Sequence, residues 1–307
     1  MNTNNKNKEN ITFGELFDEW YNYHCIEIAK STAYGYLQQK KRIERFVEDS
    51  TFIQYINTET IQALVRYLLT EVSSTTVNRY CQTLKLCFDF AIKMGYISEN
   101  PVYSCAIPKR RRVEIYPFTP EEINRLLGQP GPDWVKDGIV IAFRTGMRLG
   151  EIFALKWTDI NFDEQFISVQ RTQSRAGTKV EIKTTKSISG VRRIDIDTKL
   201  ALHLIEMQER QSPASQYVFS SPCDPEKYRI PWNISVQLRE LCQKAGIPER
   251  NFHTLRHTHA SILFAHGKHP KMVQERLGHA DVRTTIVTYT HITPTVQKEA
   301  VEVFENL

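Results

Sequence analysis

Five short stretches in the second half of the chain concentrate side chains that could act on a phosphate ester. They are Thr145–Glu151 (TGMRLGE), the segment around Lys183 and Lys186, His253–His257 (HTLRH), Leu277–His279, and Tyr289–His291. Arg148 stands between Gly146 and Gly150, where a helix should begin. Glycines let the backbone turn tightly and admit a ligand, and an arginine there offers a rigid fork of donors suited to phosphate. Glu151, three residues on, shares its helical face and could orient it; a surface arginine simply paired with Glu151 is the plainer alternative. His253 and Arg256 are three residues apart, so on a helix they point at one spot. A second guanidinium beside a neutral imidazole again suits an oxyanion, although a helix cap and a surface charge would look the same. His253 and His257 also have the i, i+4 spacing of a zinc pair. The intervening Thr-Leu-Arg supplies no glutamate, and its arginine would repel a cation, so no metal site is expected. Tyr289 follows His279 by ten residues. Taken alone it reads as a half-buried packing residue; as a nucleophile it needs neighbouring cations or a base, because a phenol titrates near pH 10.

Taken together these groups suit one task. Two arginines neutralise the non-bridging oxygens of a phosphodiester, the tyrosine attacks phosphorus, and a lysine protonates the leaving hydroxyl. Fixed cations do the electrostatic work that a metal would otherwise do.

The rest of the chain must position these residues. It has 307 residues, 24% charged and 41% hydrophobic. That suits about two domains of a globular protein and excludes collagen-like, coiled-coil and wholly disordered classes. The polar start MNTNNKNKEN has no apolar signal core, and no apolar run reaches bilayer length, so a cytoplasmic protein is expected. The six cysteines form no CxxC pair and read as reduced thiols. Net charge is +5, but cations cluster. Lys109, Arg110, Arg111 and Arg112 are consecutive, and seven cations lie between Arg171 and Arg193 against the single acid Glu181. Clustered positive charge is the footprint of a nucleic-acid binder, or of an ordinary solvated surface.

Residues 1–10 read as a polar tail. Four helices follow: one capped by Thr12 with Phe13, Leu16, Phe17 and Trp20 inward; one capped by Ser31 or Thr32 with Tyr36, Ile43 and Phe46 inward; one from Thr58; and one from Ser73 or Ser74 carrying Val77, Leu84, Phe88 and Ile92, stopped at Gly95. They predict a helical domain over 11–107. A proline-containing basic linker over 108–117 leads to a second domain over 118–307, opened by the capping box Thr119-Pro120-Glu121-Glu122. Residues 139–143 predict a buried helix ending at Gly146. Residues 166–169, 180–182 and 191–196 predict three short strands with turns at Gly177 and Gly190, and helices resume at Leu200. The fold class is mainly α with a small antiparallel sheet, α+β in its second domain.

The strings TGMRLGE (145–151), HTLRHTHAS (253–261), LGHADVRTT (277–285) and YTHI (289–292) occur in the order and spacing of the tyrosine recombinases. The chain resembles this phage integrase family, in particular integrases of phages and conjugative transposons from Gram-positive bacteria. The resemblance implies a four-helix core-binding domain and an α+β catalytic domain, without the arm-binding domain that many integrases carry. It implies that Arg148 and Arg256 clamp the scissile phosphate, that His253 acts in acid/base catalysis and that His279 hydrogen-bonds the same oxygens. Tyr289 becomes the nucleophile of a covalent 3′-phosphotyrosine, with Glu151 in support. The catalytic lysine belongs in a turn between two strands; Lys183 fits, with Lys186 as the alternative. No cofactor is implied. The implied partners are duplex DNA at attachment or core sites, three further copies in a tetramer, and accessory proteins for excision or DNA bending. DNA contacts are expected from the Lys109–Arg112 linker, from Arg171, Arg175 and Lys179 along the backbone, and from Gln38, Lys40, Lys41, Thr76, Asn78 and Arg79 near the grooves. A tail helix over 293–307, with Val296, Ala300, Val303, Phe304 and Leu307 on one face, would dock on a neighbouring copy. The competing readings are a DNA binder with a decayed site, a metal-dependent nuclease, and a type IB topoisomerase sharing the chemistry.

Overall fold

The computed structural model describes residues 10–109, 116–184 and 191–278. The residues Arg110, Arg111, Arg112, Lys186, His279 and Tyr289, and the tail helix expected over 293–307, lie outside the described residues. The chain divides into two compact units. One is 1–114 together with 175–179, and the other is the rest from 115 onward.

Four helices build the first unit: α1 (Phe13–His24), α2 (Lys30–Ile43), α3 (Thr58–Glu71) and α4 (Ser74–Met94). Side-chain caps explain three of their starts. Thr12 and Glu15 form a reciprocal capping box, Asn57 accepts from the Thr60 N–H, and Ser73 accepts from the Thr76 N–H. Gly95 ends α4 in the left-handed conformation at φ 75°. Phe13, Leu16, Phe17, Trp20, Leu64 and Phe88 fill the core. Helix α2 departs from expectation: it starts at Lys30 behind Ala29, with no side-chain cap, so neither Ser31 nor Thr32 begins it. Phe46 is not inward. The helix ends at Ile43, its last bonds tighten to i→i−3, and Phe46 swings out to stack on Tyr67. Ile92 is also exposed. Four-residue steps overshoot a helical turn by roughly 40° each, so by Ile92 the Leu84–Phe88 series has left the stripe and Ala91 faces the core instead.

The second unit begins with α5 (Pro120–Leu127), α6 (Asp133–Thr145) and the short α7 (Leu149–Ile152). The strands follow: β1 (Ile160–Asn161), β2 (Phe166–Val169), β3 (Arg171–Ala176), β4 (Lys179–Thr184) and β5 (Arg192–Asp195). Helices α8 (Thr198–Glu209), α9 (Ile234–Lys244), α10 (His253–Ala265) and α11 (Pro270–Leu277) follow among the described residues. One sheet has the order β1-β2-β5, antiparallel, with Ile167 opposite Ile194; β3 and β4 form a separate two-stranded sheet. The sequence expectation of three strands missed β1, which is only two residues long, and β3, whose residues RTQSRA are mostly polar with none buried, leaving no alternation to read. Val135, Ile139, Phe153, Ile167, Leu200 and Leu255 lie in the core between helices and sheet.

Helix α10 carries the HTLRH motif and is fixed on three sides. It packs against α6 and α11. The Thr258 hydroxyl accepts from the Phe118 N–H at 2.8 Å and donates to the Thr254 carbonyl at 2.9 Å. Arg250, just before the helix, donates to Glu122 of the α5 capping box at 2.8 Å and lies over the Phe118 ring. The six cysteines are free. Among the described residues no helix is long and apolar enough to cross a membrane.

Candidate active site

The α6–α7 corner is built around Gly146. Its φ is 68°, and a Cβ there would lie 2.6 Å from Leu277 Cδ2 and 2.8 Å from His259 Cδ2. A glycine therefore serves both the turn and the close approach of α10 and α11. Buried Met147 anchors the corner, and Thr145 closes it by donating to the Ile141 carbonyl and accepting from the Met147 N–H. Arg148 then sits at the N-cap of α7, as its place between two glycines predicted. Its side chain stays partly exposed, and Nη1 bonds Glu151 Oε1 at 2.8 Å. Its backbone N–H donates to Glu151 Oε2 at 2.9 Å, and Nη2 donates to the Gly278 carbonyl at 2.9 Å.

Glu151 is almost wholly buried, and a second arginine from β5 meets it. Arg192 donates through Nη2 to Oε2 at 2.8 Å and through Nη1 to Oε1 at 3.1 Å, while its Nε donates to the Arg276 carbonyl at 2.8 Å. Burial opposes ionisation of Glu151. The Arg192 hydrogen bonds and charge, with the Arg148 N–H and charge, outweigh it and hold the carboxyl below the usual carboxylate range.

Arg256, one turn into α10, is 2% exposed and donates to the Gly146 carbonyl at 2.8 Å. His253 opens the same helix. Its ring is pushed toward the neutral form by burial first, then by the charges of Arg256 and Arg148. The Arg256 bond to the Gly146 carbonyl brings α10, which His253 opens, to the corner that carries Arg148 two residues later. His257 packs edge-on against His253 at 4.8 Å between centroids, and burial, with His253 and Arg256, lowers it to about 4. Among the described residues no cluster of three or more His, Cys, Asp or Glu side chains could hold a metal ion.

Lys183 is placed differently from the sequence expectation. It lies within β4, not in the turn, and its ammonium is 3.7 Å from Glu181 Oε2. The strand runs on to Thr184, two residues beyond the expected 180–182, and residues 185–190 of the following turn lie outside the described residues; the turn between β3 and β4 falls at Gly177, φ 63°, as expected.

Two residues of this region were missed from sequence. Arg192 could have been found, since strand alternation puts it on the same face as buried Ile194, and a charge facing inward requires a partner. Arg276 could not. It donates to His259 Nε2 at 3.0 Å and to the carbonyls of Asp195 and Arg144, all remote in sequence.

The expected DNA-contacting cations fall into two groups. Lys40 is only 12% exposed and sits among Asp18 at 2.9 Å, Asp49 at 3.4 Å and Glu44 at 3.7 Å. Arg171 is bound to buried Asp159, and Arg193 to Glu164 and Asp195. The run from 171 to 193 is thus less positive than its sequence suggests, because the fold brings acids from outside the run. Asn78 donates to the carbonyls of Ser74 and Pro108, and Thr76 belongs to the Ser73 cap. Gln38, Lys41, Arg79, Lys109 and Lys179 are exposed, as is Arg175, whose Nε donates to the Gly177 carbonyl.

Residues 117–295 match the phage integrase family, and residues 12–107 match the phage integrase SAM-like domain. A XerC-like tyrosine recombinase of Caldanaerobacter subterraneus subsp. tengcongensis is 27% identical over 97% of this chain and 84% of its own length. The Tn1549 transposon integrase, solved with a circular intermediate DNA, superposes with a TM-score of 0.83 at 20% identity, covering 96% of this chain and 99% of that one. A lambda integrase tetramer on a Holliday junction superposes with a TM-score of 0.70 at 20% identity, covering 90% of this chain and 77% of that one.

Proposed function

The chain belongs to the phage integrase family, the tyrosine recombinases, and from that premise we propose how it works as a site-specific DNA recombinase, cutting and rejoining duplex DNA through a covalent 3′-phosphotyrosine. The observation that carries the assignment of roles is the bond from Arg256 on α10 to the Gly146 carbonyl, which ties the His253–His257 motif to the corner carrying Arg148. The two guanidiniums hold the non-bridging oxygens of the scissile phosphate and match the extra negative charge of the phosphorane-like transition state. His253, neutral at working pH, contacts the same phosphate and moves protons. His279 adds a hydrogen bond. The Tyr289 hydroxyl attacks phosphorus and forms the P–O bond while the bond to the 5′ oxygen breaks. Lys183 protonates that oxygen, with Lys186 as the alternative. Resealing runs in reverse: a 5′-hydroxyl attacks the phosphotyrosine and releases the phenol. The phosphoester linkage is conserved throughout, so no nucleotide cofactor enters.

Residues 11–107 serve as the core-binding domain and 118–307 as the catalytic domain, joined by the basic linker. Gln38, Lys41, Arg79, Lys109, Arg175 and Lys179, with the linker arginines 110–112, supply the DNA contacts. Four copies assemble on paired core sites inside the bacterial cell, and the tail from 293 docks on the neighbouring copy. Accessory proteins bend the DNA or favour excision.

The test is a covalent trap. DNA from the junctions flanking the gene is nicked beside each candidate cut, incubated with protein and chelator, and run on a denaturing gel. Wild type should give a protein–DNA band, and Tyr289→Phe should bind the same DNA but give none. A band from Tyr289→Phe would refute the assigned nucleophile. Salt-sensitive binding by wild type without any band would favour a non-catalytic binder.

A further inference from the structure

We propose that Arg192 is a positioning residue for this reaction, bridging the Glu151 carboxylate to the last turn of α11 so that Arg148 and the chain entering His279 are held as one unit. The inference rests on the recombinase reading above and concerns a residue that neither the motif strings nor the assigned roles include. Arg192 is 6% exposed, and three of its N–H groups reach two different elements. Two grip both oxygens of Glu151, in the bidentate geometry that fixes a carboxylate plane. The third takes the Arg276 carbonyl on α11.

Arg148 repeats this pattern from the other side of the same carboxylate. It bonds Glu151 Oε1 through Nη1 and the Gly278 carbonyl through Nη2. Gly278 immediately precedes His279. One buried carboxylate therefore carries two arginines, and each arginine also holds a carbonyl at the end of α11. Glu151 alone could not set both. Without Arg192, Glu151 keeps its two bonds to Arg148 but loses the bidentate grip from β5, and of the two ties to α11 only the one through the Gly278 carbonyl remains. Among the described residues, the charged groups facing Glu151 are Arg148 from its own corner and Arg192 from β5. Without Arg192, burial of Glu151 is opposed by the Arg148 bond and charge alone, so its carboxyl takes up a proton at higher pH and its ion pair with Arg148 weakens.

The test measures the single-turnover rate of covalent-complex formation on the nicked junction DNA, using full-length protein. Arg192→Gln should lower that rate about 10- to 100-fold, as small displacements of a catalytic group do, with DNA affinity changed less than about threefold. It should also gain an acid limb, its rate rising with pH as Glu151 loses its proton, where wild type is flatter. In an Arg148→Lys background the same change should cost much less, because the two arginines act through one carboxylate. If Arg192→Gln does not fold by thermal melt, Arg192→Lys, which keeps the charge but cannot bridge, carries the comparison. A full, additive loss in the Arg148→Lys background, or a wild-type rate and pH profile in the Arg192 variants, would overturn the proposal. Absence of any covalent complex from wild type would overturn the recombinase reading instead.

Discussion

His259 touches two groups that can each satisfy only one of its ring nitrogens. The Phe143 carbonyl, 2.8 Å from Nδ1, can only accept, and the Arg276 guanidinium, 3.0 Å from Nε2, can only donate. The ring must therefore be neutral with its proton on Nδ1. Burial, then the charge of Arg276, lowers its pKa to about 4, against the small opposing effect of the Phe143 bond. The sign follows directly. The unfolded ring titrates near pH 6.5 and the folded ring near 4, so stability is fully present above about 6.5 and is lost as pH falls toward 4. One group shifted this far is worth on the order of 3 kcal/mol across that window. His259→Gln should melt lower than wild type at about pH 7.5 yet fall less steeply on acidification to about pH 4.5. Parallel melting curves for the two proteins across that range would refute this account.

At the scale of elements, the corner between α6 and α7 decides whether α10 and α11 reach the site. Gly146 is the one residue there that meets both demands, a positive φ and contact with Leu277 and His259. Gly146→Ala should destabilise the second unit by about 2–5 kcal/mol, combining left-handed strain with overpacking. Because Arg256 bonds the Gly146 carbonyl, the loss should extend to cleavage measured well below the melting point. Calorimetry with the trapping assay checks both, and a variant with an unaltered melting temperature would show that the corner yields cheaply. Gly95 offers the contrast within the first unit: its φ is also positive, but a Cβ there meets nothing within 4 Å, so only the backbone strain remains.

For the whole molecule, the function depends on which of its 40 lysines and arginines remain available to a polyanion. Each phosphate neutralised adds about 0.9 to the salt dependence of binding to duplex DNA. Lys41 and Arg79 are exposed, whereas Lys40 is enclosed by three carboxylates. Lys41→Ala and Arg79→Ala should each lower the slope of log K against log salt by up to about 0.9, without lowering stability. Lys40→Ala should leave the slope unchanged and lower the melting temperature, since three carboxylates lose their common partner. Fluorescence anisotropy over a salt series separates these outcomes, and an equal slope change in all three variants would refute the division.

Local interactions made much of the molecule legible in the sequence. Capping boxes and positive-φ glycines act over four or five residues, so Thr12, Gly95, Thr119 and Gly146 could be read directly, and the start of α4 to within Ser73 or Ser74. The pairs Arg148–Glu151 and His253–Arg256 lie within one helical turn, so their convergence followed from spacing alone. Only the tertiary structure decided the interactions that join distant segments. The polar strand β3 carries no period, the partner of Arg192 lies 41 residues away, and Arg276 reaches carbonyls 81 and 132 residues earlier. The same holds for charge. The sequence counts cations along the chain, but pairing depends on distance in space, and Asp159, Glu151 and Asp18 neutralise arginines and lysines that looked free in one dimension.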